Sequence, residues 1–292
     1  MPSQEFLNRR GSIWERTDFA GRPFPELRRE MDARVMEELK IPEGVEVHEG
    51  TVAGVPGRWA NTNRGTGRFL LYIHGGGFTL GSSGVALPYV TELARRFGAD
   101  SFSPEYRLAP EYRVPTNMED CWNVYTALLA DGWKPENIIW SGESAGATIC
   151  LALLHLCKER GVPYPTAVIP LSPVTDAVGQ SENDEAVIEG LDSGDAIWNM
   201  YCPGQDLRDV RISPANGDLS GFPPVFLLAG GAEALMIDSL IFAKNAAKQG
   251  VDVQLKIGKD MIHTYPLDYL DYPEAREAFE EISLFCAAQW GV

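Results

Sequence analysis

The chain has 292 residues, 45% of them hydrophobic and 23% charged, a composition that suits a large α/β domain with a sizeable core. Its 25 Lys and Arg stand against 41 Asp and Glu, a formal net charge of −16 that is spread along the chain rather than gathered in a tail. Such a surface repels nucleic acid and anionic lipid, so neither is expected as a partner. The five cysteines, Cys121, Cys150, Cys157, Cys202 and Cys286, are odd in number and fit no zinc spacing. They read as buried free thiols of a reducing compartment. The N-terminus lacks a basic start followed by an apolar run, and no apolar stretch reaches the ~18 residues of a membrane span. A cytoplasmic protein is therefore expected.

In chain order, residues 1–40 are largely polar and charged with one amphipathic stretch, in which the spacing of Leu27, Met31, Val35 and Leu39 predicts a helix ending before Pro42. Residues 45–60 read as a β-hairpin. Strands and helices then alternate. Phe69 to Ile73 is a buried strand, Leu87 to Phe97 a helix closed by Gly98, Ser101 to Pro104 a short strand, and Met118 to Leu129 a helix. The strand Ile138 to Trp140 and the helix Ala147 to Cys157 flank a glycine-rich turn. Strands follow at Ala167 to Leu171, Val225 to Ala229 and Val253 to Ile257, with helices from Met236 to Gln249 and from Pro273 onward. This rhythm predicts a mostly parallel sheet covered on both faces. Residues 175–215 break it. With short helices at Ala186 to Leu191 and Asp195 to Tyr201, they are expected to join residues 1–40 as a helical cap over a core of residues 41–174 and 216–292. Trp14, Phe19, Ile197, Trp198 and Tyr201 are candidates for lining the substrate pocket or for holding the cap together.

Residues 142–146 read Gly-Glu-Ser-Ala-Gly between a strand and a helix, the setting in which Gly-x-Ser-x-Gly raises a serine nucleophile at the top of a sheet. Ser144 then needs a base, an acid and oxyanion donors. Of the four histidines, His48 lies in the early hairpin, His155 lies three turns along the helix, and His74 belongs to a glycine motif where it braces the loop. His263, in the loop after the strand Val253 to Ile257, sits where catalytic groups gather in open α/β sheets and is the expected base. Glu233, in the loop after Val225 to Ala229, is the preferred acid. Asp238, in the first turn of the next helix, is the alternative, although a carboxylate there also serves as an ordinary helix-end charge. The strand Phe69 to Ile73 runs into His74-Gly75-Gly76-Gly77, which lets backbone amides approach a substrate oxygen. The amides of Gly75, Gly76 and Ala145 are the expected oxyanion donors, each worth ~3 kcal/mol in the transition state.

His74-Gly75-Gly76-Gly77, Tyr106-Arg107-Leu108-Ala109-Pro110-Glu111 and Gly142-Glu143-Ser144-Ala145-Gly146 together resemble the hormone-sensitive-lipase-like carboxylesterases of the α/β-hydrolase fold. Ile212-Ser213-Pro214, Phe222-Pro223-Pro224 and Met261-Ile262-His263 add to the likeness, which covers roughly residues 65–290. The resemblance implies a capped serine esterase acting on short- to medium-chain acyl esters, with Glu233 as the acid thirty positions before His263. The sequence departs from that family at Glu143 and Glu105, where Asp is usual (Asp or Thr at the first), and at Glu233, where Asp is most frequent. No metal or cofactor is needed for the chemistry. The competing readings are a small-molecule receptor, a lactone hydrolase, and a lyase or dehydratase on the same scaffold. Retention of Ser144, His263 and an acid favours hydrolysis over the receptor, retention of Ser144 weighs against the dehydratase, and lactones stay open beside open-chain esters. The last strand and helix offer an edge for a homodimer. Sequence alone gives Glu143, an extra carboxylate beside the nucleophile, no role.

Overall fold

The computed structural model describes residues 1–9, 11, 17–18, 21–178 and 194–292, and the backbone alone for 194–196. Trp14, Phe19 and the expected helix at Ala186 to Leu191 lie outside the described residues. The strands are β1 (Glu46–Val52), β2 (Val55–Asn61), β3 (Phe69–Ile73), β4 (Asp100–Pro104), β5 (Ile138–Glu143), β6 (Ala167–Leu171), β7 (Val225–Gly230) and β8 (Val253–Gly258). They form one sheet in the order β1-β2-β4-β3-β5-β6-β7-β8. The hairpin β1–β2 joins it antiparallel, through Gly57↔Pro104 to Ala60↔Ser101, and β3 to β8 pair in parallel. The hairpin is therefore an extension of the main sheet, a pairing that local alternation does not encode.

The described helices are α1 (Gln4–Leu7), α2 (Phe24–Glu38), α3 (Leu87–Phe97), α4 (Thr116–Ala130), α5 (Ala145–Arg160), α6 (Gly194–Tyr201), α7 (Met236–Lys248) and α8 (Pro273–Trp290). Two core layers follow from the alternation of strand side chains. In β3, Phe69, Leu71 and Ile73 pack with Met118 and Val124 of α4, Ile149 and Leu153 of α5 and Phe242 of α7. Leu70 and Tyr72 face the other way, onto Tyr89 and Leu93 of α3 and Phe279 and Ile282 of α8. With both faces covered, β3 is buried at every residue, which is why it reads as an unbroken apolar run. Each fully buried large apolar side chain contributes about 2–3 kcal/mol by removal from water. Among the described residues, no helix is long and apolar enough to cross a membrane.

The parallel register fixes where chemistry can occur. Ile73 lies opposite Gly142, Glu143 opposite Leu171 and Gly230 opposite Gly258. The loops that follow β3, β5, β6, β7 and β8 therefore all leave from one edge of the sheet, and every predicted site residue is on one of them.

Candidate active site

Ser144 stands between β5 and α5 with φ 52° and ψ −121°, a left-handed conformation that costs a non-glycine residue about 1–3 kcal/mol. The turn is held by Ser144 N–H donating to the Leu171 carbonyl at 2.8 Å and by Thr148 N–H donating to the Ser144 carbonyl at 3.0 Å. It is also too tight for larger neighbours: a Cβ on Gly146 would lie 2.0 Å from the Ile73 oxygen and 2.4 Å from the His74 oxygen. Ala145 begins α5, so its N–H lacks an intrahelical acceptor and points out at the positive end of the helix dipole.

His263 and Glu233 are brought together, with Nδ1 of the imidazole 3.0 Å from Oε2 of the carboxylate. The Glu233 side chain is almost wholly buried while about a third of the His263 side chain is accessible, which suits an acid that orients and a base that meets substrate. The two loops are tied by backbone, Gly231 N–H donating to the Gly258 carbonyl at 2.7 Å and Ala232 N–H to the Met261 carbonyl at 2.9 Å. Ser172, which sequence reasoning missed, stands after β6 with φ 49° and links both partners. Its hydroxyl donates to Glu233 Oε2 at 2.9 Å and accepts from Thr264 N–H at 3.1 Å. The signal available in sequence was a serine set between the last residue of a buried strand and Pro173. Asp238 is occupied elsewhere: buried, it accepts from the N–H groups of Thr175 at 2.7 Å and Asp176 at 2.9 Å and so holds the loop after β6.

The glycine loop departs from expectation at its first residue. Gly75 N–H donates to Glu143 Oε1 at 2.7 Å, so it is not available to a substrate oxyanion. The reason is the β3–β5 register, which sets Gly75 against the start of the nucleophile turn. A Cβ at Gly75 would meet the Glu143 oxygen at 2.6 Å and Ser144 Cβ at 3.0 Å. The amides of Gly76, Gly77 and Ala145 have no protein acceptor among the described residues. His74 braces the loop as expected. Its Nδ1–H donates to the Gly75 carbonyl at 2.8 Å, and its ring stacks on Tyr106 at 4.2 Å. Burial pushes the His74 pKa down, against the raising influence of Glu105 and the Gly75 carbonyl, which keeps the ring neutral.

Glu143 is buried with its carboxylate between two donors, Gly75 N–H on Oε1 and the Tyr72 hydroxyl on Oε2. Burial pushes its pKa up to about 7, opposed by those two hydrogen bonds, by its own amide and by the field of His263. The other titratable groups facing it are Tyr72, Tyr89, Tyr106 and Cys150, all driven upward by burial and therefore neutral.

Of the candidate pocket residues, Tyr201 of α6 stacks on Phe78 at 3.9 Å with rings 3° apart, and Trp198 lies 6.1 Å from the same ring. The Ile197 side chain lies over Gly77, whose notional Cβ would be 3.5 Å from it. Phe78, with φ 61°, thus joins the glycine loop to α6. From the other side, Arg28 of α2 donates to the carbonyls of Thr79 at 2.8 Å and Ala109 at 2.6 Å and pairs with Glu111. Of the other histidines, His48 is exposed beside Asn61, and His155 Nε2 meets the Pro214 carbonyl at 2.8 Å.

This arrangement is that of a known fold family. The family model described as alpha/beta hydrolase fold matches residues 70–267, and the chain belongs to that family. It is 33% identical to an acetyl-hydrolase of Streptomyces hygroscopicus over 258 residues, 87% of this chain and 85% of that protein. It is 32% identical to an esterase of Acinetobacter venetianus over 252 residues, 84% and 82% of the two chains. Among solved structures, an esterase from the bacterial hormone-sensitive lipase family superposes with a TM-score of 0.88 at 29% identity, covering 99% of both chains. EstE5 soaked with p-nitrophenyl butyrate gives a TM-score of 0.87 at 30% identity, covering 99% of this chain and 100% of the other.

Proposed function

We propose that this chain is a carboxylic ester hydrolase that works through an acyl-enzyme, with Ser144 as nucleophile, His263 as base and Glu233 as orienting acid. The observation that carries the reading is the His263 Nδ1 to Glu233 Oε2 contact of 3.0 Å on the sheet edge that also bears the strained Ser144. In that tautomer Nε2 is free to take the Ser144 proton as Oγ bonds to the ester carbonyl carbon. The carbonyl π pair moves onto oxygen, and the oxyanion is received by the amides of Gly76, Gly77 and Ala145, Gly77 replacing Gly75 in the set. Collapse expels the alcohol with the proton from His263, and water repeats the cycle on the acyl-enzyme. The aromatic contacts of α6 and the Arg28 clamp of α2 support assigning residues 1–40 and 175–215 to a cap that bounds the acyl site for short- to medium-chain esters.

The test is hydrolysis of p-nitrophenyl butyrate. Ser144→Ala should lose at least about 10³-fold in kcat. Glu233→Gln should lose far more activity than Asp238→Asn, whose cost should appear as stability. Equal, slow rates in wild type and Ser144→Ala would reject the reading. A larger loss of activity in Asp238→Asn would move the acid.

A further inference from the structure

The Gly75 contact gives Glu143 a task. The loop from His74 to Gly77 contains three successive peptide planes. In a trans peptide the N–H and C=O point in opposite directions, so tying down one end orients the other. In the plane between Gly75 and Gly76, the Gly75 carbonyl accepts from His74 Nδ1–H at 2.8 Å, which aims the Gly76 N–H away from the imidazole. In the plane between Gly76 and Gly77, the Gly76 carbonyl accepts from Thr79 N–H at 3.1 Å and Leu80 N–H at 2.9 Å, which aims the Gly77 N–H. The plane between His74 and Gly75 comes before both and is gripped at each end. Tyr106 donates its hydroxyl to the His74 carbonyl at 2.7 Å, and Glu143 accepts the Gly75 N–H at 2.7 Å.

We propose that Glu143 is a positioning residue for the oxyanion loop, holding the His74–Gly75 peptide so that the following two amides face the carbonyl oxygen attacked by Ser144. The proposal rests on the esterase reading above. The carboxylate is suited to the task because it accepts without donating, and the two groups it meets, Tyr72 O–H and Gly75 N–H, both donate. Tyr72 fixes Oε2 from β3, the strand that delivers the glycine loop, while Glu143 ends β5, the strand that delivers the nucleophile. The contact therefore sets the distance between nucleophile and donors directly, across two paired strands and through one side chain. The Gly75 backbone lies so close to Ser144 that a notional Cβ would be 3.0 Å from the serine Cβ, which leaves little room for a displaced loop.

The experiment compares Glu143→Met, which fills similar volume without an acceptor, with Glu143→Gln, which keeps a carbonyl oxygen for Gly75. Removing one oxyanion donor costs about 10²–10³ in kcat, and a loosened loop forfeits part of this. Glu143→Met should therefore lose about 30–100-fold in kcat on p-nitrophenyl butyrate, with KM within about threefold, and Glu143→Gln should recover to within about fivefold of wild type. A structural filler would show no such split between the two variants. The proposal is overturned if Glu143→Met stays within threefold of wild type, or if Glu143→Gln is as impaired as Glu143→Met. Failure of the underlying reading is seen separately, in wild type and Ser144→Ala having equal rates. Should Glu143→Met not fold, the wild-type chain decides: the Gly75 amide should be protected from hydrogen exchange by NMR, and an unprotected Gly75 N–H overturns the contact.

Discussion

Gly146→Ala probes the closest approach in the site. The new Cβ would lie 2.0 Å from the Ile73 oxygen, 2.4 Å from the His74 oxygen and 2.6 Å from the His74 carbonyl carbon. All three are backbone atoms at the junction of β3 and the glycine loop, so no side chain can swing aside. Relief to an ordinary contact needs α5 and the end of β3 to part by about 1 Å or more. That is also the separation between Ser144 at the head of α5 and the loop that faces it. A misplacement of this size costs about 10²-fold in rate, and overpacking costs about 1–3 kcal/mol of stability. The assay is kcat/KM on p-nitrophenyl butyrate together with a urea titration. Gly161→Ala is the control. Gly161 caps the other end of α5 at φ 64° with nothing within 4 Å of a new Cβ, so it should cost about 1 kcal/mol of backbone strain and leave kcat unchanged. A Gly146→Ala enzyme with kcat/KM within threefold of wild type would refute the reasoning.

Two further outcomes follow from named contacts. The Glu143 carboxyl is raised from 4.5 to about 7 in the fold, so the folded state holds its proton more tightly than the unfolded chain. Its contribution to stability is fully present below pH ~4.5 and is lost as pH rises through about 7. Glu143→Gln should therefore gain on wild type by about 2–3 kcal/mol between pH 5 and pH 8 in urea titrations, and a pH-independent difference would contradict this. Ser172→Ala removes the donor to Glu233 Oε2 and the acceptor of Thr264 N–H. It should lose about 2–3 kcal/mol of stability and about tenfold in kcat, whereas an unchanged kcat would show that the acid does not depend on that hydroxyl.

Much of the scaffold is written in local pattern. The unbroken apolar run of Phe69 to Ile73 and the helical spacing from Leu87 to Phe97 coincide with β3 and α3, because burial on both faces and on one face leave different periods in sequence. The helix expected at Asp195 to Tyr201 is α6, one residue longer at its start. The nucleophile turn was legible for the same reason, since its strand, serine and helix are contiguous. What escaped was side-chain geometry between distant residues. Glu143 and Gly75 are 68 positions apart, Ser172 and Glu233 61, and Ser172 and Thr264 92. No periodicity encodes such a contact. Tyr72 did leave a trace: a hydroxyl in an otherwise apolar buried strand needs a partner. The use of Gly75 was misread because three equivalent glycines carry no mark of which amide is already engaged.

The order of the sheet divides the chemistry in sequence. The loop of residues 161–166, between α5 and β6, is the one covalent passage from the segment bearing Gly76, Gly77, Ser144 and Ala145 to the segment bearing Ser172, Glu233 and His263. The two segments meet along the β5–β6 register from Ile139↔Ala167 to Glu143↔Leu171. A chain opened at that loop would yield one fragment with the proposed nucleophile and no base, and another with the proposed base and its orienting acid and no serine to activate. Ester turnover would then report the docking of two inert halves, with the β5–β6 seam and the packing of α3 against α8 as the recognition elements.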